Sequence, residues 1–352
     1  MSLRRRQKIV KEVEGRTTFE PSFKTSILYI IFRTCSIDPN NLKRRKFNEL
    51  AAMSIGASIS APIQNVAMTL GQKYVRLGGP VFEKYSDPDQ WISALKQSDY
   101  RAAYCPVKVG TEEAVVKAYE KAAFDSDIVI AEVGAWSNMV SPDDEERKKA
   151  IEKCVRSLEL AELINANCCV NVTGSRNLKH WAGPHEDNLT KDTFDLIIET
   201  TREIIDSVKP SRTYFALEPM PWAYPDSIDS YLKLFKAINR PRFGVHFDPV
   251  NMISSPQLYY KNGHLIREGI RKLGPYIRSC HAKDITLRED NYIPQLDECQ
   301  PGLGKLNYDV FLSELSRLKD IPLMMEHLKT AAEYAAGADY IRSVGERNDI
   351  VV

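Results

Sequence analysis

The chain has 352 residues, 43% of them apolar, and a formal net charge of +1 from 48 Lys and Arg against 47 Asp and Glu. That length and apolar share suffice for one large α/β domain or two small ones. The near balance of charge argues against a nucleic-acid partner, which ordinarily needs a basic excess or stripe.

The chain opens with the basic "MSLRRRQKIV", followed by an apolar run, "ILYIIF", at 27–32. That run is too short to span a membrane. It also lies far from the basic start and lacks a small-residue cleavage site, so neither a membrane partner nor secretion is expected. "MSIGASIS" (53–60) is strand-like but precedes a complete set of eight units, so residues 1–72 are read as an N-terminal extension of unknown role. From residue 73 onward, short β-rich runs alternate with longer helical patterns. "YVRLGG" (74–79) precedes "SDPDQWISALKQ", which begins like a capped helix. "AAYCPV" (102–107) precedes "TEEAVVKAYEKAA", and "DIVIAEVGAW" (127–136) precedes the amphipathic "SPDDEERKKAIEKCVRSLELAELI". "CCVNVTG" (168–174) leads through a long loop to "TKDTFDLIIETTREIIDSV", and "YFALEPM" (214–220) precedes "SIDSYLKLFKAI". "FGVHFDPVN" (243–251) precedes a helix near 264–273. "IRSCHAKD" (277–284) comes next, and "PLMMEHL" (322–328) precedes "TAAEYAAGADYIRSVGE".

Near-continuous apolar runs are the mark of strands buried on both faces. Alternation of β and α implies a parallel sheet. Eight units over about 270 residues fit a single (β/α)8 TIM barrel, spanning 73–345 and leaving 346–352 as a C-terminal tail. An open doubly wound sheet is less well supported, because no strand is followed by a glycine-rich dinucleotide turn. Seven cysteines, Cys35, Cys105, Cys154, Cys168, Cys169, Cys280 and Cys299, form no C-x-x-C pair. Several lie in apolar runs, where a thiol behaves as a small hydrophobe. This implies a reducing, cytoplasmic setting without a disulfide framework.

Function in such a barrel gathers at the C-terminal strand ends. The last four strands end, in order, in Glu218, Asp248, His281 and Glu326. A lone Glu at a strand end is ordinarily a solvated rim residue. Four potential ligands on four consecutive strands, about 4.8 Å apart, are a different matter. Three carboxylates packed together repel, and a divalent cation relieves that repulsion. The oxygen-rich set favours Mn2+ or Mg2+, with Co2+ or Zn2+ also admissible.

The order Glu, Asp, His, Glu within "LEP", "HFDPVN", "HAKD" and "MEHL" resembles the xylose isomerase-like TIM-barrel superfamily, the sugar phosphate isomerase/epimerase group. The resemblance covers about residues 73–345. It implies that Glu218, Asp248, His281 and Glu326 hold one divalent ion and that the partner is a small-molecule carbohydrate. It leaves open a homo-oligomer or a small partner subunit. The zinc AP endonucleases share this fold but need many more metal-binding histidines than the six present.

Residues i and i−2 of a strand share a face. His246 therefore points into the barrel one layer below Asp248, to contact substrate or to support a ligand. By the same rule Lys283 projects beside His281, as an acid/base, an enolate stabiliser or the salt-bridge partner of a ligand carboxylate. Glu132, inside an apolar run, is a further catalytic candidate. Trp136 and Asn138 follow it as substrate-binding candidates, with a core role the alternative for the tryptophan. The loop 174–188 adds Arg176 for an anionic group and His180, Trp181 and His185 as pocket walls, and Trp222 follows Glu218 closely. "QPGLGKLNY" (300–308) resembles the family's glycine-rich loop before the last unit.

A metal that chelates a hydroxy-ketone acidifies the neighbouring C–H and leads to an enediolate; a base then moves the proton. The resemblance thus implies a metal-dependent isomerase or epimerase of a sugar or keto-sugar. A lyase or dehydratase on a keto-sugar, cyclitol or carbon-glycoside is the alternative, and a non-catalytic sugar-binding subunit the third reading. Two positions depart from the ketose epimerases of the group. Tyr224 stands where they carry a second Glu, and Asn251 where they carry a His. Both shift weight from ketose epimerases toward dehydratases, keto-sugar epimerases and carbon-glycoside-cleaving lyases.

Overall fold

A computed structural model describes residues 72–352. The apolar run at 27–32, the strand-like 53–60 and Cys35 lie outside the described residues. Strands β1 (Arg76–Gly79), β2 (Ala102–Tyr104), β3 (Val129–Gly134), β4 (Cys168–Asn171), β5 (Phe215–Leu217), β6 (Phe243–Phe247), β7 (Ile277–Ala282) and β8 (Pro322–Met325) pair in parallel in that order. β8 returns to β1 and closes the barrel. The strands are shorter than the apolar runs that signalled them. The ladder stops where a run turns polar, so β6 ends at Phe247 and Asp248 begins the loop.

Outside the barrel run α1 (Pro88–Gln97), α2 (Glu113–Asp125), α3 (Asp144–Ile164), α4 (Lys191–Val208), α5 (Ile228–Ile238), α6 (Asn262–Leu273), α7 (Tyr308–Leu315) and α8 (Ala331–Arg347). Their starts follow from local chemistry. Asp87 accepts the Gln90 N–H ahead of α1, with Pro88 opening the helix, as the first turn's unpaired N–H groups require. Ser227 with Ser230, and Thr330 with Glu333, form reciprocal capping boxes at α5 and α8. Asn165, Lys209 and Asn239 end α3, α4 and α5 in the left-handed conformation. Gly269 lets α6 approach β6, since a Cβ there would lie 2.7 Å from the Phe247 ring. No helix among the described residues is long and apolar enough to cross a membrane, and the six described cysteines are free thiols.

Period-two alternation decides which side chains face inward. In β6, Phe243, Val245 and Phe247 join the large core between sheet and helices; Gly244, His246 and then Asp248 take the opposite face. In β5, Phe215 and Leu217 face the helices, which turns Ala216 and Glu218 inward. β7 sends Cys280 and Ala282 outward and Ser279, His281 and Lys283 inward. β8 sends Leu323 and Met325 outward and Glu326 inward. Four strands thus deliver their polar residues to one end of the barrel.

Two features differ from the sequence-based expectation. The segment read as a C-terminal tail carries a short strand, Ile350–Val351, paired in parallel with Lys73–Tyr74. After β7 the chain forms an antiparallel hairpin, Asp284–Leu287 with Leu296–Cys299, before reaching α7.

Candidate metal centre

Glu218, Asp248, His281 and Glu326 each present one ligand atom, and these atoms all lie within 4.8 Å of one another. Local structure aims each of them. Asp248 folds back on its own turn: Oδ1 accepts the Val250 and Asn251 N–H groups at 2.9 and 3.2 Å, which frees Oδ2 to face the centre. The Asn251 amide donates to Glu218 Oε1 at 2.9 Å. His281 Nδ1 lies 2.9 Å from Glu326 Oε1, 3.2 Å from Glu218 Oε1 and 3.8 Å from Asp248 Oδ2.

Lys283 Nζ enters the same cluster, 2.6 Å from both Asp248 Oδ2 and Glu326 Oε1. Although close to Lys283 and His281, these two buried oxygens accept no well-formed hydrogen bond. Burial opposes charge on Lys283, yet Asp248, Glu326, Glu218 and Glu298 outweigh it and hold the ammonium well above its usual pKa. Burial likewise opposes charge on His281; Glu326, Glu218 and Glu132 more than reverse this and raise its pKa strongly. Glu218 moves up, chiefly through burial. Unpartnered carboxylate lone pairs converging on one point, with an ammonium as the present stand-in cation, form a donor set that fits a hard divalent ion.

Beneath this cluster lies a second buried layer. Glu132 Oε2 accepts from Ser279 Oγ at 2.8 Å and is 2.7 Å from His246 Nε2. Its Oε1 is 3.3 Å from His281 Nε2. The His246 and His281 rings meet edge to face, with centroids 4.0 Å apart. Both barrel irregularities adjoin this layer, between Ala103 and Tyr104 against β3 and between Val245 and His246 against β7; such bulges re-aim side chains. A ligand His whose other nitrogen faces a carboxylate is a recurring device of metal sites.

A family model described as a xylose isomerase-like TIM barrel matches residues 76–344. The chain belongs to this family. No curated protein sequence matches it. Solved structures share the fold at low identity. The probable 3-DHS dehydratase AsbF of Bacillus anthracis is 16% identical with a TM-score of 0.57, over 78% of this chain and all of that one (100%). D-psicose 3-epimerase from Clostridium cellulolyticum H10, determined with D-tagatose, is 14% identical with a TM-score of 0.56, over 77% and 99%. A xylose isomerase-like TIM barrel protein from Mycobacterium smegmatis, in complex with magnesium, is 16% identical with a TM-score of 0.54, over 78% and 96%.

In this xylose isomerase-like barrel a cavity of about 650 Å3 opens above the cluster. It brings together Glu132, Glu218, Lys283 and Glu326 with Trp136, Trp181 and Trp222. His246 does not line it; fully buried, it faces Glu132 instead. Asn138, Arg176 and His185 are likewise not brought to the cavity, because backbone groups claim them. Asn138 clasps Ser175 through both its N–H and its carbonyl, at 2.9 and 2.7 Å. Arg176 donates to Val140 O at 2.8 Å, and His185 accepts the Asp187 N–H. His180 is exposed away from the cavity walls. Trp222 donates to Ala182 O at 2.8 Å, which joins two loops of the wall.

Tyr104, Met220, Glu298, His327 and Tyr334 also line the cavity and were not picked out from sequence. Glu298 comes from the unanticipated hairpin. His327 follows Glu326, but a left-handed backbone (φ 60°) breaks the alternation that would turn it away. Its Nδ1 is 3.0 Å from Glu298 Oε1. That contact, ahead of the opposing effect of burial, raises its pKa.

Proposed function

We propose that the protein is a divalent-metal-dependent isomerase or epimerase of a sugar or keto-sugar derivative, working by proton abstraction beside a carbonyl. The observation that carries this reading is the convergence of Glu218, Asp248, His281 and Glu326 on one point at the floor of an open cavity. A bound ion, Mn2+ by preference and Mg2+ next, would polarise a carbonyl oxygen and the hydroxyl oxygen beside it. The family's epimerase and dehydratase folds and the magnesium complex support the same reading.

The chain's own residues divide the remaining work. Lys283, charged and facing the cavity, supplies a donor for the substrate oxygen on which negative charge builds. Glu298 and His327 form a hydrogen-bonded pair on the wall, and Glu298 Oε2 is 3.5 Å from Lys283 Nζ. This carboxylate takes the carbon-bound proton, and His327 holds it in orientation. Returning the proton to the neighbouring carbon, while the hydroxyl proton passes to the former carbonyl oxygen, gives the isomer; adding a water-derived proton to the opposite face, while Glu298 gives its own up to solvent, gives the epimer. Glu132 and His246 take no proton in this scheme. They lie behind His281 and fix the nitrogen it presents.

A lyase is the second reading, because Tyr224 and Asn251 weigh against a two-carboxylate ketose epimerase. Tyr224 donates to Leu189 O and packs on Phe194, and it is absent from the cavity wall. Asn251 is held between Glu218 and Lys283. The same carbon-bound proton is lost, but a β-hydroxyl then leaves as water. Purified protein loaded with Mn2+ and given ketoses, keto-glycosides and inososes in D2O decides the matter. Deuterium beside the carbonyl without mass loss supports isomerisation, and mass loss of water supports the lyase. The absence of both deuterium uptake and loss of water with all three classes would overturn both readings.

A further inference from the structure

The walls of the cavity are unequal in a way that selects its ligand. Glu132, Glu218, Glu298 and Glu326 line it, with Asp248 directly behind. Together they outnumber the charge of Lys283, a divalent ion and a protonated His327 combined. Lys283 and His327 are the cations among the lining residues, and both are already engaged by carboxylates. No arginine, the side chain best shaped for phosphate or carboxylate, is among those residues, and Arg176 is tied to Val140 O.

The backbone donors that barrels of this type offer to phosphate are spent as well. Phosphate sites commonly form at the loops after strands seven and eight and at a helix N-terminus there. In the loop after β7, the N–H groups of Gly302, Gly304 and Leu306 all donate to the buried Asp284 carboxylate, at 3.0, 3.1 and 2.7 Å. After β8, Thr330 Oγ1 takes the Glu333 N–H, and the Glu333 carboxylate takes those of Lys329 and Thr330. Each place where an anion would bind holds a carboxylate of the chain itself.

What the cavity does offer is aromatic surface. Trp136 and Trp181 are 38% and 48% exposed, and Trp222, Tyr104 and Tyr334 complete the wall. Flat uncharged faces stack favourably on such rings, and 650 Å3 lies within the range that encloses ligands of drug size. We propose that this site takes an uncharged sugar bearing a flat or apolar substituent, and discriminates against phosphorylated and carboxylated sugars. The proposal rests on the reading above only in placing the sugar ring over the cluster.

Three of the four tryptophans line the cavity, so intrinsic fluorescence reports binding. Full-length protein is titrated with phenyl β-D-glucoside, D-glucose and D-glucose 6-phosphate, once with Mg2+ and once with EDTA. The phenyl glucoside should bind roughly tenfold more tightly than glucose. Glucose 6-phosphate should bind more weakly than glucose, by a margin that widens at low ionic strength. The exposed Trp181→Ala and the wall-joining Trp222→Ala should each shrink the phenyl preference. Tighter binding of the phosphate ester, no phenyl advantage, or an advantage that survives both substitutions would overturn the proposal. So would no detectable phenyl glucoside binding up to its solubility limit. Deuterium uptake separates the two readings. Uptake into a ketose phosphate keeps the chemistry and overturns the ligand class. Tight phenyl glucoside binding, with no uptake from any keto-sugar, keeps the ligand class and overturns the chemistry.

Discussion

Replacing Glu132 by Gln changes one atom and inverts the hydrogen bonding behind His281, the proposed metal ligand. As a carboxylate, Glu132 accepts from His246, Ser279 and His281 at 2.7, 2.8 and 3.3 Å. That arrangement keeps the His281 proton on Nε2 and leaves Nδ1 toward Glu218, Asp248 and Glu326. A glutamine has one carbonyl oxygen. If it serves His246 and Ser279, the amide N–H2 faces His281 Nε2, which must then accept and move its proton to Nδ1. Metal binding has to reverse that tautomer against a buried hydrogen bond. Loss of such an outer partner typically weakens metal affinity by about 10–100-fold, or about 1.4–2.7 kcal/mol. The assay is competition for Mn2+ against a fluorescent chelator, with circular dichroism to show that the variant is folded. Ser279→Ala is the control, since it removes a neutral bond worth about 1 kcal/mol of stability and leaves the His281 tautomer alone. A folded Glu132→Gln protein whose Mn2+ affinity stays within twofold of the parent would refute the orientation argument.

Lys283→Met should retain Mn2+ at least as tightly as the parent, because the ammonium 2.6 Å from Asp248 and Glu326 no longer competes; turnover should fall by at least about 100-fold. Full turnover in that variant would end the role given to the lysine. His281→Gln should lose the metal itself, as equilibrium dialysis would register. The raised pKa of His281 fixes the sign of a pH effect. In the metal-free chain its proton adds stability that is complete below about pH 6.5 and disappears as pH rises through the elevated value. A metal needs the unprotonated Nδ1, so Mn2+ uptake at pH 7 should release protons and tighten as pH rises. Calorimetry in buffers of different ionisation enthalpy measures this, and buffer-independent heats would contradict it. Asp284→Asn should cost about 2 kcal/mol, because its amide N–H2 must face either the Gly302 and Gly304 N–H groups or those of Ile285 and Leu306, which leaves buried donors unpaired. Faster proteolysis at 300–306 would accompany the lower melting temperature.

The barrel was legible because strands buried on both faces must be apolar along their length and helices favour capped starts; the first pattern recurs at each unit and the second at every unit helix but α2 and α6. The convergence of Glu218, Asp248, His281 and Glu326 was legible for a related reason: an apolar strand that ends in charge has no cheap solvated alternative when its three neighbours do the same. Glu298 and His327 were not legible. Glu298 lies on a hairpin inserted after β7, and no period of the barrel places it. His327 reaches the cavity through one left-handed residue, where two-residue alternation no longer holds. Asn138, Arg176 and His185 show the opposite failure. Their residue types suit a pocket, but a long loop must satisfy its own backbone polar groups, and these three side chains were consumed in doing so.

His246 and Glu132 carry the sharper lesson. Alternation correctly turns His246 inward below Asp248, but facing inward is not the same as facing the cavity. A barrel of eight strands fills its interior with layers of side chains; of the lower layer here, Glu132 reaches the cavity and His246 does not. That layer would ordinarily be apolar. It contains instead a carboxylate, a hydroxyl and an imidazole, which cost free energy to bury unless they are paired. Glu132 is fully paired; its pKa is pushed up by burial but pulled down further by His246 and His281. His246 retains one unpartnered nitrogen, Nδ1. Such a nitrogen is tolerable as a bare acceptor and costly as an N–H, which places the His246 proton on Nε2, toward Glu132. The direction of every proton in the layer then follows, ending at His281 Nε2. Nδ1 is thereby the nitrogen whose proton a cation displaces. His246→Phe tests this chain of reasoning apart from the Glu132 substitution. It keeps the ring and removes one donor to Glu132, so it should weaken Mn2+ binding less than Glu132→Gln while leaving the barrel folded. If His246→Phe weakens Mn2+ more than Glu132→Gln does, the histidine acts on the metal by some route other than Glu132, and the proton order deduced for this layer is wrong.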